Sequence, residues 1–367
     1  MSALKDLYSP AFYRDFARVM AQVRPGFDQS RFQTLIFDDT FAGKELKDRM
    51  RHTTRVLHQF MPAGFGEAVD VISALITCLR QDKLGENSFL FLFLPDYIET
   101  YGLEDVEKAI PAIELVTQFI SCEFAVRPFL RLYFEPMMAQ MQAWAHHPNH
   151  HVRRLASEGS RPRLPWGMAV PALKQDPSPI LPILETLKND PSEYVRRSVA
   201  NNLNDISKEH PETVLAIARA WKDLSPETNA LIKHGCRTLL KKGHESILAF
   251  YALDSTNIQV GQFRLLNSAV RIGDSLSFTF SVGNTSSQPL IVRLEYAVYY
   301  RLQNGQLSRK VFKISERLFA PDEQATIIRR QKFTPITTRR FYTGEHRIAL
   351  IVNGKEADPL PFVLLQP

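Results

Sequence analysis

The sequence predicts a multidomain protein, in which an α-solenoid of HEAT-like helical repeats is followed by an immunoglobulin-like β-sandwich. Three observations support this fold class. Apolar residues recur with a period near 3.6 from Pro10 to about Ala249, a motif repeats after 43 residues within that stretch, and the period changes to 2 after about Phe250. We therefore divide the 367 residues into a helical domain over 1–250 and a sandwich domain over 256–367.

Proline and glycine residues separate the predicted helices. The segments 43–60 and 68–79 each carry an apolar stripe, and Pro62 and Gly64 lie between them. Similar breaks follow along the helical part of the chain. Helices paired by short proline-bearing turns are typical of an α-solenoid or of an irregular bundle.

The repeated motif favours the solenoid. Residues 147–157 (HPNHHVRRLAS) align with residues 190–200 (DPSEYVRRSVA), and the offset of 43 residues lies within the spacing of HEAT-type repeats. In both copies a proline turn precedes Val-Arg-Arg at the start of a helix. A degenerate third copy begins at Ser225. Stacked helix pairs of this kind present a concave face.

The last third of the chain has the pattern of β-strands. Residues 276–282 (LSFTFSV) alternate between apolar and polar, and 290–300 and 346–352 do so more loosely. Three dipeptides have the chemistry of hairpin turns: Gly283-Asn284, Asn304-Gly305 and Asn353-Gly354. About seven short strands within this length predict a sandwich of immunoglobulin type without its cysteine pair.

Composition excludes several classes of protein. The chain is 44% hydrophobic and 23% charged, as globular proteins are, and its three cysteines show no C-x-x-C spacing, which argues against a disulfide scaffold or a structural zinc site. The amino terminus has no apolar signal segment, and the longest apolar run, Phe89 to Leu94, is far shorter than the roughly 20 residues that span a bilayer. We expect a soluble cytoplasmic protein that makes no membrane contact.

Charge is distributed unevenly along the chain. The formal net charge is −4 over residues 1–145, +4 over 146–245 and +6 over 246–367. A basic remainder behind a mildly acidic first part suits a polyanionic partner. A solvated surface without a partner explains the same charges about as well.

Polar residues spaced at i, i+4 mark one face of three predicted inner helices. The pairs are Glu123/Arg127, Arg154/Glu158 and Asn201/Asp205. Second helices of successive repeats line the concave face side by side, so Glu123, Glu158 and Asp205 are expected to converge on one groove, flanked by arginines. From spacing alone, ordinary ion pairs and asparagine ladders between repeats remain the alternative.

A rigid basic loop precedes a tryptophan in the segment 160–166 (SRPRLPW). Arg161 and Arg163 could grip a phosphate backbone while Trp166 stacks on a sugar or base. The alternative is a tryptophan that packs the joint between two helices. Four histidines over 146–151 straddle a helix–helix turn without a matching cysteine or carboxylate, so we predict neither a metal nor another cofactor.

Three motifs in order resemble those of a known enzyme family. SCEFAVRPFL, HVRRLASEGSRPRLPW and YVRRSVANNLNDISKEHP are similar to segments of the HEAT-like-repeat alkylpurine DNA glycosylases, and resemble the AlkC branch more closely than AlkD. The resemblance is strongest over 123–211, and some AlkC members also carry a C-terminal immunoglobulin-like domain. AlkD has a tryptophan one helical turn before its catalytic aspartate, where this chain has Asn201.

The resemblance implies removal of N3-methyladenine and N3-methylcytosine from duplex DNA, without a cofactor and without a deep pocket for a flipped base. It places Asp205, Glu158 and Glu123 at the catalytic positions and Trp166 at the active-site aromatic. We further expect Arg154 and Asn201 to contact the substrate. Basic residues expected at the DNA backbone are Arg127, Arg161, Arg163, Arg197, Lys233, Arg237, Arg339 and Arg340.

The partner expected on this reading is double-stranded DNA with alkylated bases, bound by a monomer associated with the nucleoid. The competing class is a non-catalytic α-solenoid scaffold that binds DNA or protein. Carboxylates in a basic groove oppose phosphate binding, so they favour the enzyme.

Overall fold

The computed structural model describes residues 4–86, 88–335 and 340–367, and helices precede strands throughout. Sixteen α-helices lie among the described residues: α1 (Pro10–Val23), α2 (Gln29–Ile36), α3 (Leu46–His58), α4 (Phe65–Gln81), α5 (Phe93–Tyr101), α6 (Val106–Thr117), α7 (Val126–Leu132), α8 (Phe134–Trp144), α9 (His150–Gly159), α10 (Pro171–Gln175), α11 (Leu181–Leu187), α12 (Glu193–Ile206), α13 (Pro211–Trp221), α14 (Pro226–Gly235), α15 (Arg237–Lys242) and α16 (Glu245–Phe250).

The chain forms two compact units. The first contains residues 1–214 and 220–235, and the second contains 215–219 and 236–367, so that α15 and α16 belong to the same unit as the strands. We refer to them as the helical unit and the sandwich unit. In the part of the chain that the structure describes, no helix is both long and apolar enough to cross a bilayer.

Stacked repeats form the second half of the helical unit. Helix α12 packs between α9 and α14, while α8 and α11 pack behind α9 and α12. Helices α9 and α12 begin 43 residues apart, and α14 begins at the degenerate third copy of the motif. The predicted repeat is therefore confirmed, with the Val-Arg-Arg segments on α9 and α12.

The first arginine of each Val-Arg-Arg segment forms hydrogen bonds with the turn that precedes its own helix. Arg153 donates to the carbonyl oxygens of His147 and Pro148 at 3.0 and 2.8 Å. Its counterpart Arg196 donates to those of Asp190 and Pro191 at 2.6 and 2.9 Å. Arg153 also bonds both carboxylate oxygens of Asp190, at 2.6 and 3.0 Å, which joins one repeat to the next. The motif recurs because each turn needs the same donor.

The sandwich unit contains two sheets. Its strands are β1 (Ile258–Leu265), β2 (Ala269–Arg271), β3 (Ser275–Asn284), β4 (Leu290–Arg301), β5 (Leu307–Phe319), β6 (Gln324–Lys332), β7 (Gly344–Val352), β8 (Lys355–Glu356) and β9 (Leu360–Leu365). One sheet has the order β1-β3-β6, and the other has the order β2-β9-β7-β4-β5, with β8 paired to β7. Buried side chains from both sheets, among them Phe278, Leu294 and Leu350, form one core.

Two of the three predicted hairpin turns are confirmed. Gly305 has φ +80° between β4 and β5, and Asn353 and Gly354 have φ +46° and +80° between β7 and β8, as a tight hairpin turn requires. The third prediction is wrong, because Gly283 and Asn284 end strand β3. The side-chain amide of Asn284 instead donates to carbonyl oxygens of the following loop, including Gln288 at 2.8 Å.

Candidate active site

A cavity of about 830 Å³ lies in the helical unit. Its walls come from α3, α5 and α9, from the segment 120–124, and from the loop between α9 and α10. Apolar side chains such as Leu92, Ile120 and Phe124 line it together with several carboxylates. The size is that of ligand-binding pockets in general.

Glu123 and Glu158 meet in the cavity through one arginine. Arg154 donates to the Glu123 carboxylate and to Ser121 Oγ, at 2.7 Å for the latter, while its Nη2 atom lies 3.6 Å from Glu158 Oε1. Ser121 Oγ itself donates to Glu123 at 3.0 Å. In this copy of the Val-Arg-Arg motif the second arginine therefore faces inward and brings together carboxylates that are 35 residues apart.

Asp205 joins the same network through Arg161. Arg161 Nη1 donates to Glu158 at 2.6 Å and its Nε donates to Asp205 at 2.8 Å. Lys208 Nζ donates to the other Asp205 oxygen at 3.1 Å. Only 2% of the Asp205 side chain is exposed. Of the described residues, Glu123, Glu158 and Arg161 line the cavity, whereas Asp205 does not. The network thus links the three carboxylates, but Asp205 lies behind the Arg161 guanidinium and does not share the cavity with Glu123 and Glu158 as expected.

Trp166 lies at the third position of a four-residue turn. The Gly167 amide donates to the Leu164 carbonyl oxygen at 3.1 Å, Pro165 occupies the second position, and Trp166 has φ +64°. These features define a type II turn, in which the third position normally takes glycine. The turn leaves 72% of the tryptophan exposed at the mouth of the cavity. Trp166 therefore does not pack a joint between helices.

Arg127 was expected to contact the DNA backbone, but its side chain is fully buried. Its guanidinium donates to the main-chain oxygens of Gly159, Arg161 and Met168, at 2.8, 2.6 and 2.8 Å. Burial, with the neighbouring Arg161 charge, lowers the pKa of Arg127 to about 10, so it stays charged at neutral pH. The structure corrects its role to that of an internal support for the loop that carries Trp166.

Arg161 and Asn201 also differ from their expected roles. The Arg161 side chain is 8% exposed and is occupied by two carboxylates, which is not the environment of a phosphate ligand. Asn201 is half-buried, its Oδ1 lies 3.3 Å from His234 Nε2, and it is not among the described residues that line the cavity.

The remaining basic residues that the structure describes lie at or near the surface. Arg163 pairs with Glu209 and Arg197 pairs with Glu193 at 2.7 Å, all on exposed or partly exposed side chains of the helical unit. Lys233 and Arg237 are half-buried at the end of α14 and the start of α15. Arg340 is exposed in the sandwich unit, and Arg339 lies outside the described residues.

The sequence missed a second group of charged residues in the cavity. Arg51 of α3 lies 2.7 Å from Asp96 Oδ1 and 3.3 Å from Glu99 Oε1, both on α5. Burial raises the pKa of both carboxyl groups, and the Arg51 charge opposes that shift. Tyr194 of α12 was also missed; its ring centroid lies 4.8 Å from the Arg154 guanidinium carbon. The i, i+3 spacing of the two acidic residues was a signal, but α5 lies outside the repeated motif.

Comparisons with known proteins agree with this architecture. A family model described as a DNA alkylation repair enzyme matches residues 100–229, and a model described as the C-terminal Ig-like domain of uncharacterised protein YhaZ matches 259–366. Uncharacterized protein YhaZ of Bacillus subtilis (strain 168) is 42% identical over 363 residues, which is 99% of each chain. These matches confirm the predicted order of a helical part and an immunoglobulin-like domain.

A solved structure is similar over its whole length. The Pseudomonas fluorescens alkylpurine DNA glycosylase AlkC, bound to DNA containing an abasic site analog, has a TM-score of 0.92 and 33% sequence identity, covering 99% of this chain and 100% of that chain. Identity at this level over the full chain, with the same two-part fold, confirms the resemblance. The chain therefore belongs to the AlkC family of DNA alkylation repair enzymes.

Proposed function

We propose that the protein is a DNA glycosylase, which hydrolyses the N-glycosidic bond of N3-methyladenine and N3-methylcytosine in duplex DNA. The observation that carries the proposal is the pair Glu123 and Glu158 in one cavity, with the exposed Trp166 at its mouth. The similarity to AlkC, which was solved bound to DNA containing an abasic site analog, supports the same partner.

The chemistry suits cationic bases. Methylation at N3 gives the base a positive charge, so the base leaves as a neutral molecule with the electron pair of the glycosidic bond and needs no general acid. The remaining task is to stabilise positive charge on the sugar, which carboxylates do in a partly desolvated site. Water then forms the new bond to C1′ and gives up one proton to a carboxylate of the cavity. This explains why acidic groups occupy a DNA-binding enzyme's cavity.

We assign these tasks to the carboxylates of the network. Glu158, held by Arg161 and Arg154, is placed to face the sugar, and Glu123, beside Ser121, is placed to hold the water. Asp205 is placed behind Arg161, where its negative charge holds the guanidinium that binds Glu158. Arg154 and Trp166 would contact the damaged nucleotide, since both line the cavity.

DNA phosphates would be bound by exposed or half-buried basic side chains in both units. In the helical unit these are Arg163, Arg197 and Lys233. In the sandwich unit we propose Arg237 and Arg340, together with exposed basic residues of β6, an edge strand of its sheet: Arg329, Arg330 and Lys332. Contacts of this type bind DNA without reading its sequence, which suits a search for scattered lesions.

Release of free bases tests the proposal. Duplex DNA methylated to contain both lesions is incubated with the full-length protein without added metal, and released bases are identified by mass spectrometry. We expect both N3-methylated bases to be released, and the Glu123→Gln/Glu158→Gln double variant to release neither while still binding DNA. Tight binding of this DNA by the wild-type protein without any release would instead support the non-catalytic scaffold.

A further inference from the structure

A lysine outside all three motifs holds the turn that carries Trp166. Lys47, the second residue of α3, donates from Nζ to the main-chain oxygen of Trp166 at 2.7 Å. The same ammonium lies 5.6 Å from the centroid of the Phe124 ring, which is a cation–π distance. All three residues line the cavity, so Lys47 joins the wall formed by α3 to the loop at the cavity mouth.

The residue that Lys47 binds is strained. Trp166 has φ +64°, a conformation that is unfavourable for a bulky side chain and that a type II turn normally gives to glycine. Such strain persists only where surrounding contacts maintain it, and it occurs mostly at functional sites. Arg127 fixes the loop on both sides of the turn, through Gly159 and Met168, but its bonds do not reach Trp166 itself.

We propose that Lys47 is a positioning residue, which keeps the Trp166 backbone in the left-handed conformation of the turn and so presents the indole to DNA beside Glu158. The free energy of one charged hydrogen bond and the free-energy cost of one left-handed residue are of similar size. Loss of this bond alone is therefore expected to let the Trp166 backbone leave the left-handed conformation. The catalytic consequence rests on the proposed function. A mobile indole leaves DNA bound, but with less of the complex aligned for reaction.

Labelling the protein with ¹⁵N-tryptophan tests the structural part without any assay of activity. The chain has three tryptophans, and Trp144 and Trp221 are buried, so their signals report whether the helical unit stays folded. A Trp166→Phe variant assigns the Trp166 signals. In Lys47→Met we expect the main-chain and indole signals of Trp166 to shift and their heteronuclear NOE to fall, while the other two stay in place. Lys47→Arg should restore the wild-type signals.

Kinetics test the functional part. At saturating enzyme we expect Lys47→Met to lower the single-turnover excision rate about tenfold, with the Kd for lesion DNA within about twofold of wild type. Lys108→Met is the matched control, because Lys108 is an exposed lysine of α6 that pairs with Asp105 and is not among the residues lining the cavity. It should change neither value.

Two results would overturn the inference. Unchanged Trp166 signals in Lys47→Met would show that the turn does not depend on Lys47. A weaker Kd with an unchanged saturated rate would show that Lys47 binds DNA directly. If the wild-type protein released no methylated base at all, the proposed function would fail, and the NMR result would still decide whether Lys47 positions Trp166.

Discussion

Replacing Glu158 by glutamine tests whether a cavity carboxylate stabilises charge on the sugar. The two side chains have the same shape, and glutamine Oε1 can still accept the bond that Arg161 Nη1 now donates at 2.6 Å. What disappears is the negative charge. Removing one preorganised electrostatic group from an active site typically lowers the rate by about 10²–10³-fold, or about 2.7–4 kcal/mol of activation free energy. We expect a loss of that size in single-turnover excision of N3-methyladenine.

The arrangement of the network predicts that Glu158→Gln still folds. Arg161 keeps Asp205 at 2.8 Å and Arg154 keeps Glu123, so neither guanidinium is left without an anionic partner. We therefore expect the free energy of unfolding to fall by only about 1–2 kcal/mol. Tryptophan fluorescence in a denaturant titration measures this, since all three tryptophans belong to the helical unit.

Glu209→Gln is the matched control for Glu158→Gln. Glu209 also pairs with an arginine, Arg163, but at a partly exposed site, and it is not among the described residues that line the cavity. Its excision rate should stay within about twofold of wild type. The reasoning is refuted if Glu158→Gln retains a rate within about threefold of wild type, or if its whole loss disappears at saturating enzyme.

Four further predictions follow from the same site. Asp205→Asn should lower the single-turnover rate by about 10²-fold and change the Kd only a few-fold; a rate near wild type would remove Asp205 from the mechanism. Trp166→Ala should leave stability within about 0.5 kcal/mol, because the indole is exposed, but weaken binding to lesion DNA about tenfold; unchanged affinity would contradict stacking. Hypoxanthine and uracil should not be released, since the three motifs supply no acid poised to protonate a neutral leaving base; their efficient release would disprove the cationic mechanism. Arg330→Gln/Arg340→Gln should weaken DNA binding and reduce the slope of log Kd against log salt by about 1–2; an unchanged slope would exclude phosphate contacts there.

Most of the fold was predictable from the sequence, because its signals are local. A helix that buries one face needs apolar residues at a period of 3.6, and a strand in a sandwich needs a period of 2. The repeat was visible because Arg153 and Arg196 each fasten the turn of their own repeat. Equal backbone geometry in two repeats demands equal side chains, so the offset of 43 residues predicts how the helices stack.

The sequence also indicated which residues reach the site, but only where their spacing along the chain places them on one helix face. Residues at i, i+4 share a helix face, as Arg154 and Glu158 do on α9, and the three carboxylates are linked through Arg154 and Arg161. Glu123, however, lies in the turn before α7 and not on a helix as predicted. Spacing says nothing about what covers that face. Arg127 shares a predicted face with Glu123, yet its guanidinium is fully buried among carbonyl oxygens. Asp205 lies behind Arg161, which comes from the loop after α9.

Only the tertiary structure decided the other side of the cavity and the conformation of its mouth. Asp96 and Glu99 enter the site because α5 packs against α3, and no local pattern records that contact. Trp166 has a left-handed backbone at a position where sequence rules expect glycine, and Lys47 reaches its carbonyl oxygen across 119 residues of chain. Contacts between segments so far apart depend on how whole helices pack, and packing depends on all of their faces together.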